Sequence, residues 1–77
     1  MQVYIGNLNE LTTARQLAGL FLPFGIVHLS QIARDERTGR SLGFGFIEMD
    51  RTHANAAIRK LHRCLFMNSY VEVGEAH

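Results

Sequence analysis

The 77 residues contain one cysteine, Cys64. A lone thiol excludes an internal disulfide framework and fits a reducing compartment. No apolar run approaches the roughly 20 residues of a membrane-crossing helix. Met1-Gln2-Val3-Tyr4 has neither a charged leader nor a long apolar segment, so neither a secretory signal nor membrane association is expected. The expected location is cytoplasmic, or nuclear in a eukaryote. Low-complexity segments, internal repeats and linkers are also absent. Charge of one sign is scarce: 8 Lys and Arg stand against 7 Asp and Glu, a formal net charge of +1. That is a small basic excess for a polyanionic partner. Its distribution says more, with Arg34, Arg37 and Arg40 in one stretch and Arg59, Lys60 and Arg63 in another. Either cluster reads equally well as a solvated loop or helix face.

Catalytic and cofactor signatures are missing too. Gly43-x-Gly45 lacks the third glycine of a dinucleotide fingerprint, because position 48 is Glu. Gly39 to Gly43 has neither the spacing nor the lysine of a phosphate-binding loop. His62 and Cys64 flank Arg63, but two candidate ligands at a helix end do not make a zinc site, and a cysteine there reads as a small apolar packer. His53 reads as a surface residue. An enzyme, a cofactor and a metal site are not expected.

What the chain does have is apolar patterning, at 47% of residues. Its length suits one small domain over residues 1–77, with no room for a second core. Val3-Tyr4-Ile5-Gly6 alternates as a strand, with Val3 and Ile5 on one side and Tyr4 on the other. Thr13 and Gln16 form a capping box that predicts a helix from near Ala14. Leu17, Leu20, Phe21 and Phe24 give that helix one apolar stripe. Pro23 should push Leu22 out of helical geometry, and Gly25 offers a left-handed exit, so the helix should end near Leu22. Ile26 to Ala33 reads as a second strand in which Val27 and Ile32 cannot both face inward without a bulge. Arg34 to Arg40 is a charged hairpin loop. After a third strand, Asp50 or Thr52 can cap a second helix with its stripe at Ala54, Ala57, Ile58 and Leu61. Asn68 suits a left-handed turn, and Tyr70-Val71-Glu72-Val73 reads as a short last strand.

The third strand, Arg40 to Met49, poses the functional question. Alternation sends Leu42, Phe44, Phe46 and Glu48 to one face and Gly43, Gly45, Ile47 and Met49 to the other. The aromatic face has more area to bury, yet two glycines in one strand imply close approach of something on their side. Element order resolves the choice. In a β-α-β-β-α-β chain, right-handed crossovers set both helices on the same side of the sheet. Each helix has a single stripe, so nothing is left to cover the other side. Val3, Ile5, Ile47, Met49, Val71 and Val73 then face the helices, with Gly43 and Gly45 beneath one of them. Tyr4, Phe44 and Phe46 lie on the open face.

These stretches resemble the RNA recognition motif family over essentially the whole chain. Val3 to Leu8 resembles its first-strand hexapeptide, and Leu42 to Met49 its third-strand octapeptide. Leu17-Ala18-Gly19-Leu20-Phe21-Leu22-Pro23-Phe24-Gly25 is similar to its first-helix exit. Arg34-Asp35 with Thr38 to Ser41 is similar to its hairpin loop, and Ala54-x-x-Ala57-Ile58-x-x-Leu61 to its second helix. The resemblance implies an α+β fold, the βαββαβ ferredoxin-like sandwich, with a four-stranded antiparallel sheet and two helices on one face. It implies binding of single-stranded RNA, with single-stranded DNA as a further candidate, by base stacking on an aromatic platform. Tyr4 and Phe46 would each stack a base, and Phe44 would lie against sugar rings. Arg34, Arg37 and Arg40 would reach phosphates, and Gln31 would read a base edge. Asn7, Leu42 and Glu72 complete the expected contact set. A monomer is expected, of the kind that resembles small free-standing bacterial members.

The chain departs from the family pattern in four places. Leu42 stands where the octapeptide has Arg or Lys, and Met49 replaces an aromatic on the core side. Glu72 sets a negative charge on the open face, which repels phosphate unless it accepts a hydrogen bond from a base amine. His62-Arg63 replaces a frequent Asn-Gly and should change only a turn. Leu42, Phe44 and Phe46 together also make an apolar patch able to hold a peptide, so a protein-binding module on the same fold is the alternative.

Overall fold

The computed structural model describes residues 1–77. Strand β1, Gln2–Gly6, leads to helix α1, Ala14–Phe21; β2, Val27–Arg34, and β3, Ser41–Met49, form a hairpin; helix α2, Arg51–Leu61, follows. Three short strands finish the chain: β4, Leu65–Phe66, β5, Ser69–Tyr70, and β6, Glu72–Glu75. The main sheet is antiparallel in the order β2-β3-β1-β6, which confirms the ferredoxin-like arrangement. No helix is long and apolar enough to cross a membrane.

Both helices lie on one side of this sheet, each by one stripe. Leu17 and Phe21 of α1 and Ala54, Ala57 and Leu61 of α2 are buried against Val3, Ile5, Ile47, Met49, Val71 and Val73. The alanines of α2 have no side chain to hold the helix away from the strands. α1 opens as its sequence indicates. The Thr13 hydroxyl accepts from the Gln16 backbone N–H at 3.1 Å, and the Gln16 side-chain oxygen accepts from the Thr13 backbone N–H at 2.9 Å. At α2 the N-cap residue is Asp50, but its carboxylate makes no capping bond and instead faces His28 Nε2 at 3.3 Å.

The α1 exit differs from expectation. Leu22 keeps helical angles (φ −52°, ψ −38°), and the chain continues through a 3-10 turn, Leu22–Phe24. Proline in a first turn needs no N–H, so Pro23 fits there without displacing Leu22. Gly25 ends the turn at φ 152°, not in the left-handed helical region. A side chain there would also strike the His53 ring.

The bulge expected in β2 is present at His28. Val27 pairs with Met49 and Leu29 with Glu48, so one extra residue in β2 lets Val27 and Ile32 both pack on the core. Gly45 carries the close packing inferred for the two glycines. A Cβ added there would lie 2.5 Å from the Gln31 carbonyl oxygen and 3.2 Å from the Leu17 Cδ2 atom of α1. Gly43 does not lie beneath a helix. It takes φ 84° in a second irregularity, where β3 runs from Gly45 to Ser41 while β2 advances only from Ile32 to Arg34. Its carbonyl accepts from the Leu8 N–H at 2.8 Å.

The β4–β5 hairpin has no counterpart in the sequence pattern, and it takes Tyr70 out of the last strand, which begins at Glu72. Phe66 pairs with Ser69 across Met67 and Asn68, both at positive φ (48° and 66°), the geometry of a two-residue primed turn. Asn68 takes the left-handed role its residue type suggested. His62 also does more than turn the chain: its Nδ1 accepts from the Val73 N–H at 3.0 Å. That bond satisfies a donor of β6, an edge strand of the sheet.

Phe21 is fully buried at the centre of this packing. Phe21→Ala is expected to cost about 3–5 kcal/mol of stability, readable as a lowered midpoint in denaturant unfolding. A loss below 1 kcal/mol would contradict the core described here.

Candidate nucleic-acid interface

On the sheet face that no helix covers, register brings one residue from each strand into a row. Gln31 of β2 pairs with Phe46 of β3, Phe46 with Tyr4 of β1, and Tyr4 with Gly74 of β6. Phe44 stands one step along β3 on the same face. The three rings form a nearly equilateral triangle, with centroids 5.9 Å apart for Tyr4 and Phe44 and 6.0 Å for the other two pairs. Phe44 and Phe46 meet edge-on, and Tyr4 is tilted against Phe44, the offset arrangements aromatic quadrupoles prefer. Packing among themselves leaves the phenylalanines half-buried, while Tyr4 stays 37% exposed.

Gly6 sets how Tyr4 lies. A Cβ at Gly6 would fall 2.5 Å from the Tyr4 hydroxyl and 2.9 Å from its ring, so the ring rests over the bare backbone of β1. Gly74, across the sheet, leaves open space on its side. Tyr4 is thus flanked by two side-chain-free positions, which makes room over it for a planar ligand.

The charges of this face are segregated. Alternation places Glu48 and Glu72 on the open face, both exposed, and supplies no Lys or Arg between the strand ends. Arg34 ends β2, and Arg37 and Arg40 stand in the loop that follows. Arg34 is tied down, its Nη1 donating to the Gly39 carbonyl at 3.2 Å, while the Arg37 and Arg40 side chains have no protein partner. Asp35 organises the loop. Its Oδ1 accepts from the Thr38 and Arg37 backbone N–H groups at 3.1 and 2.8 Å, and these bonds hold its carboxyl below the usual carboxylate range. Gly39, at φ 75°, then lets the chain turn back toward β3.

Other predicted positions fall around the platform. Leu42, at the start of β3, is 54% exposed, as expected of a missing cation or an apolar anchor. Gln31 is exposed next to Phe46. Asn7 differs: at φ 56° it turns the chain out of β1, and its Nδ2 donates to the Tyr70 carbonyl at 2.9 Å, so its amide is partly structural. Asn9 Nδ2 donates to the Met67 carbonyl at 3.0 Å, and the buried Thr12 hydroxyl donates to the Met67 sulfur at 3.4 Å. These three side chains fasten the β4–β5 hairpin to the β1–α1 loop. They bring Tyr70, 66% exposed, and Arg63 beside Glu72 at the edge of the platform. Tyr70 and Arg63 were missed as site residues. No local pattern marks them, because Tyr70 reaches Glu72 from a separate hairpin held by bonds to the β1–α1 loop.

Comparison with known proteins agrees with this geometry. The RNA recognition motif profile matches residues 3–72, and the chain belongs to that family. It is 38% identical over 77 residues to a Nostoc sp. protein, RbpE, whose name assigns it RNA binding; the match covers 99% of this chain and 78% of that protein. The crystal structure of RNA-binding protein PG1 superposes with a TM-score of 0.96 at 40% identity, covering 99% of this chain and 93% of the other. The RNA recognition motif of Rna15, solved with bound GU RNA, superposes at 0.85 with 29% identity over 97% of this chain and 81% of that one.

The Asp35 bonds make loop order depend on pH. A carboxylate whose folded pKa is depressed supports structure above its ordinary value and loses that support as pH falls through the lowered one. The Arg37 and Thr38 amide shifts should therefore titrate with a midpoint below that of an unrestrained aspartate, and should stay flat in Asp35→Asn. A midpoint at or above the ordinary value would show that the loop bonds do not form.

Proposed function

We propose that residues 1–77 act as one binding unit for single-stranded RNA, with bases stacked on Tyr4 and Phe46 and a sugar packed against Phe44. The observation that carries this reading is the triangle of rings about 6 Å on a side on a face free of helices. Family membership, the name of RbpE and the RNA-bound structure of the Rna15 domain support it. Each base has a π-face, and one stacked base contributes about 1–3 kcal/mol. Two stacked bases therefore supply a few kcal/mol, part of which is offset by the entropy of association. Gln31, directly across from Phe46, has both amide groups available to a base edge. Arg37 and Arg40 supply mobile charge for phosphates at the loop end, away from the two glutamates of the sheet.

Stacking and phosphate contacts do not require a 2′-hydroxyl, so single-stranded DNA is the natural competitor. Binding requires neither a cofactor nor a metal, and the unit acts as a monomer.

Phe44→Ala and Phe46→Ala should weaken binding of a mixed-sequence RNA strand, by about 1–3 kcal/mol for Phe46, with little change in unfolding midpoint. A stability loss on the scale of the Phe21 truncation from either change would make that ring core and dismiss the platform.

Leu42 separates this reading from a protein-binding one, which its exposure two residues from Phe44 favours. With RNA as the ligand, Leu42→Arg adds one cation, tightens binding and steepens the salt dependence of log K by about 0.7. Titrations at several salt concentrations measure this. An unchanged slope together with loss of a co-purifying protein partner would favour the peptide-binding alternative.

A further inference from the structure

Where β1 ends and β6 begins, an open cleft of about 610 Å³ is lined by Asn7, Arg63, Tyr70 and Glu72. Its volume lies within the roughly 300–1,000 Å³ of small-ligand sites. It adjoins the platform through backbone pairing, since Glu72 sits opposite Gly6 and the Tyr4 ring rests on Gly6. We propose that this cleft is a guanine-selective nucleotide subsite, filled by the residue of the strand next to the one stacked on Tyr4. The proposal rests on the RNA-binding reading above and adds a base preference to it.

Three observations carry the assignment. First, the cleft holds opposite charges that do not neutralise each other. Arg63 and Glu72 line the same space, yet the ion pairs of the protein are His28–Asp50 and Arg51–Glu75. An open cleft with an unpaired cation and an unpaired anion suits a ligand with an anionic group at one end and hydrogen-bond donors at the other. A nucleotide with a donor-bearing base edge is such a ligand.

Second, the backbone that carries these groups is held in place. Arg63 occupies the left-handed region at φ 67°, its N–H bonded to the Val71 carbonyl at 2.7 Å. Tyr70 is anchored through its carbonyl by Asn7 Nδ2 at 2.9 Å. The residue stays 66% exposed although it belongs to a paired strand, so its ring is open to a stacking partner. With one amide N–H engaged, Asn7 keeps its other N–H and its carbonyl oxygen for a ligand, the oxygen being a second acceptor beside Glu72.

Third, the acceptors choose the base. A carboxylate accepts through two oxygens and donates nothing. The Watson–Crick edge of guanine presents two adjacent donors, N1–H and the 2-amino group, which match those oxygens in a charge-assisted pair. Adenine and cytosine each offer one amine next to a ring nitrogen that is itself an acceptor and would face the carboxylate. Uracil offers one N–H between two carbonyls. The charge at Glu72, unfavourable toward a phosphate backbone, becomes favourable toward this one base edge.

The test compares three RNA hexamers by fluorescence anisotropy: all uridine, uridine with one central guanosine, and uridine with inosine there, which lacks the 2-amino group. Wild type should bind the guanosine strand about tenfold more tightly than the uridine strand, as one bidentate base contact provides, with inosine between them. In Glu72→Gln the two affinities should move in opposite directions. The guanosine strand weakens, and the uridine strand tightens because a charge near its phosphates is gone. A merely structural role would move both the same way. Tyr70→Ala should weaken the guanosine strand more than the uridine strand. No guanosine preference in wild type, or a preference that survives Glu72→Gln, overturns the subsite while leaving the platform intact. Failure of wild type to bind any hexamer overturns the platform and the subsite together.

Discussion

A helix with a single apolar stripe can bury one side of a sheet and nothing more. Here α1 and α2 each have one stripe, and right-handed crossovers bring both to the same side. The sheet is therefore closed on one face by Leu17, Phe21, Ala54, Ala57 and Leu61, and open on the other. The platform depends on this one-sidedness. Tyr4, Phe44 and Phe46 are not buried because no element is available to bury them, so they satisfy part of their area against one another. Their mutual packing holds the three ring centroids about 6 Å apart.

Close approach on the covered side is the counterpart of openness on the other. Gly45 lets α1 and the β2 backbone come within contact of β3, and the His28 bulge turns Val27 inward without disturbing Gln31 or Leu29. Gly6 plays the equivalent part on the open face, giving the Tyr4 ring a bare stretch of backbone to rest on. The glycines thus act through what they leave out. Gly43 is the exception, since what matters there is its φ of 84° where β3 bends toward the loop.

The β1–α1 loop has a second task beyond linking a strand to a helix. Asn7, Asn9 and Thr12 each send a side-chain donor to the β4–β5 hairpin, more than 50 residues away in sequence. These bonds couple the edge of the platform to the segment after α2. They also stabilise Met67 at a positive φ that non-glycine residues seldom adopt. Arg37 and Arg40 lie in the β2–β3 loop and Glu48 and Glu72 on the sheet, so charges of opposite sign occupy different parts of this surface.

Periodicity alone determined the order of the two helices and the four main-sheet strands, the helix stripes, the inward and outward sets of β1 and β3, and even the need for a bulge between Val27 and Ile32. These are properties of neighbours at fixed spacing, and spacing is what a sequence displays. The capping box at Thr13 belongs with them, because both partners lie within one helical turn. Tertiary structure alone decided that Gly43 serves a bend and not a helix contact, that the Asp50 side chain turns to His28, and that His62 satisfies the edge of β6. It also decided that Tyr70 sits in a separate hairpin facing Arg63 and Glu72. Each of these depends on a hydrogen bond or a register between segments far apart in the chain. Such a bond adds only about 1 kcal/mol and leaves no periodic trace, so it becomes visible only once the strands have found their partners.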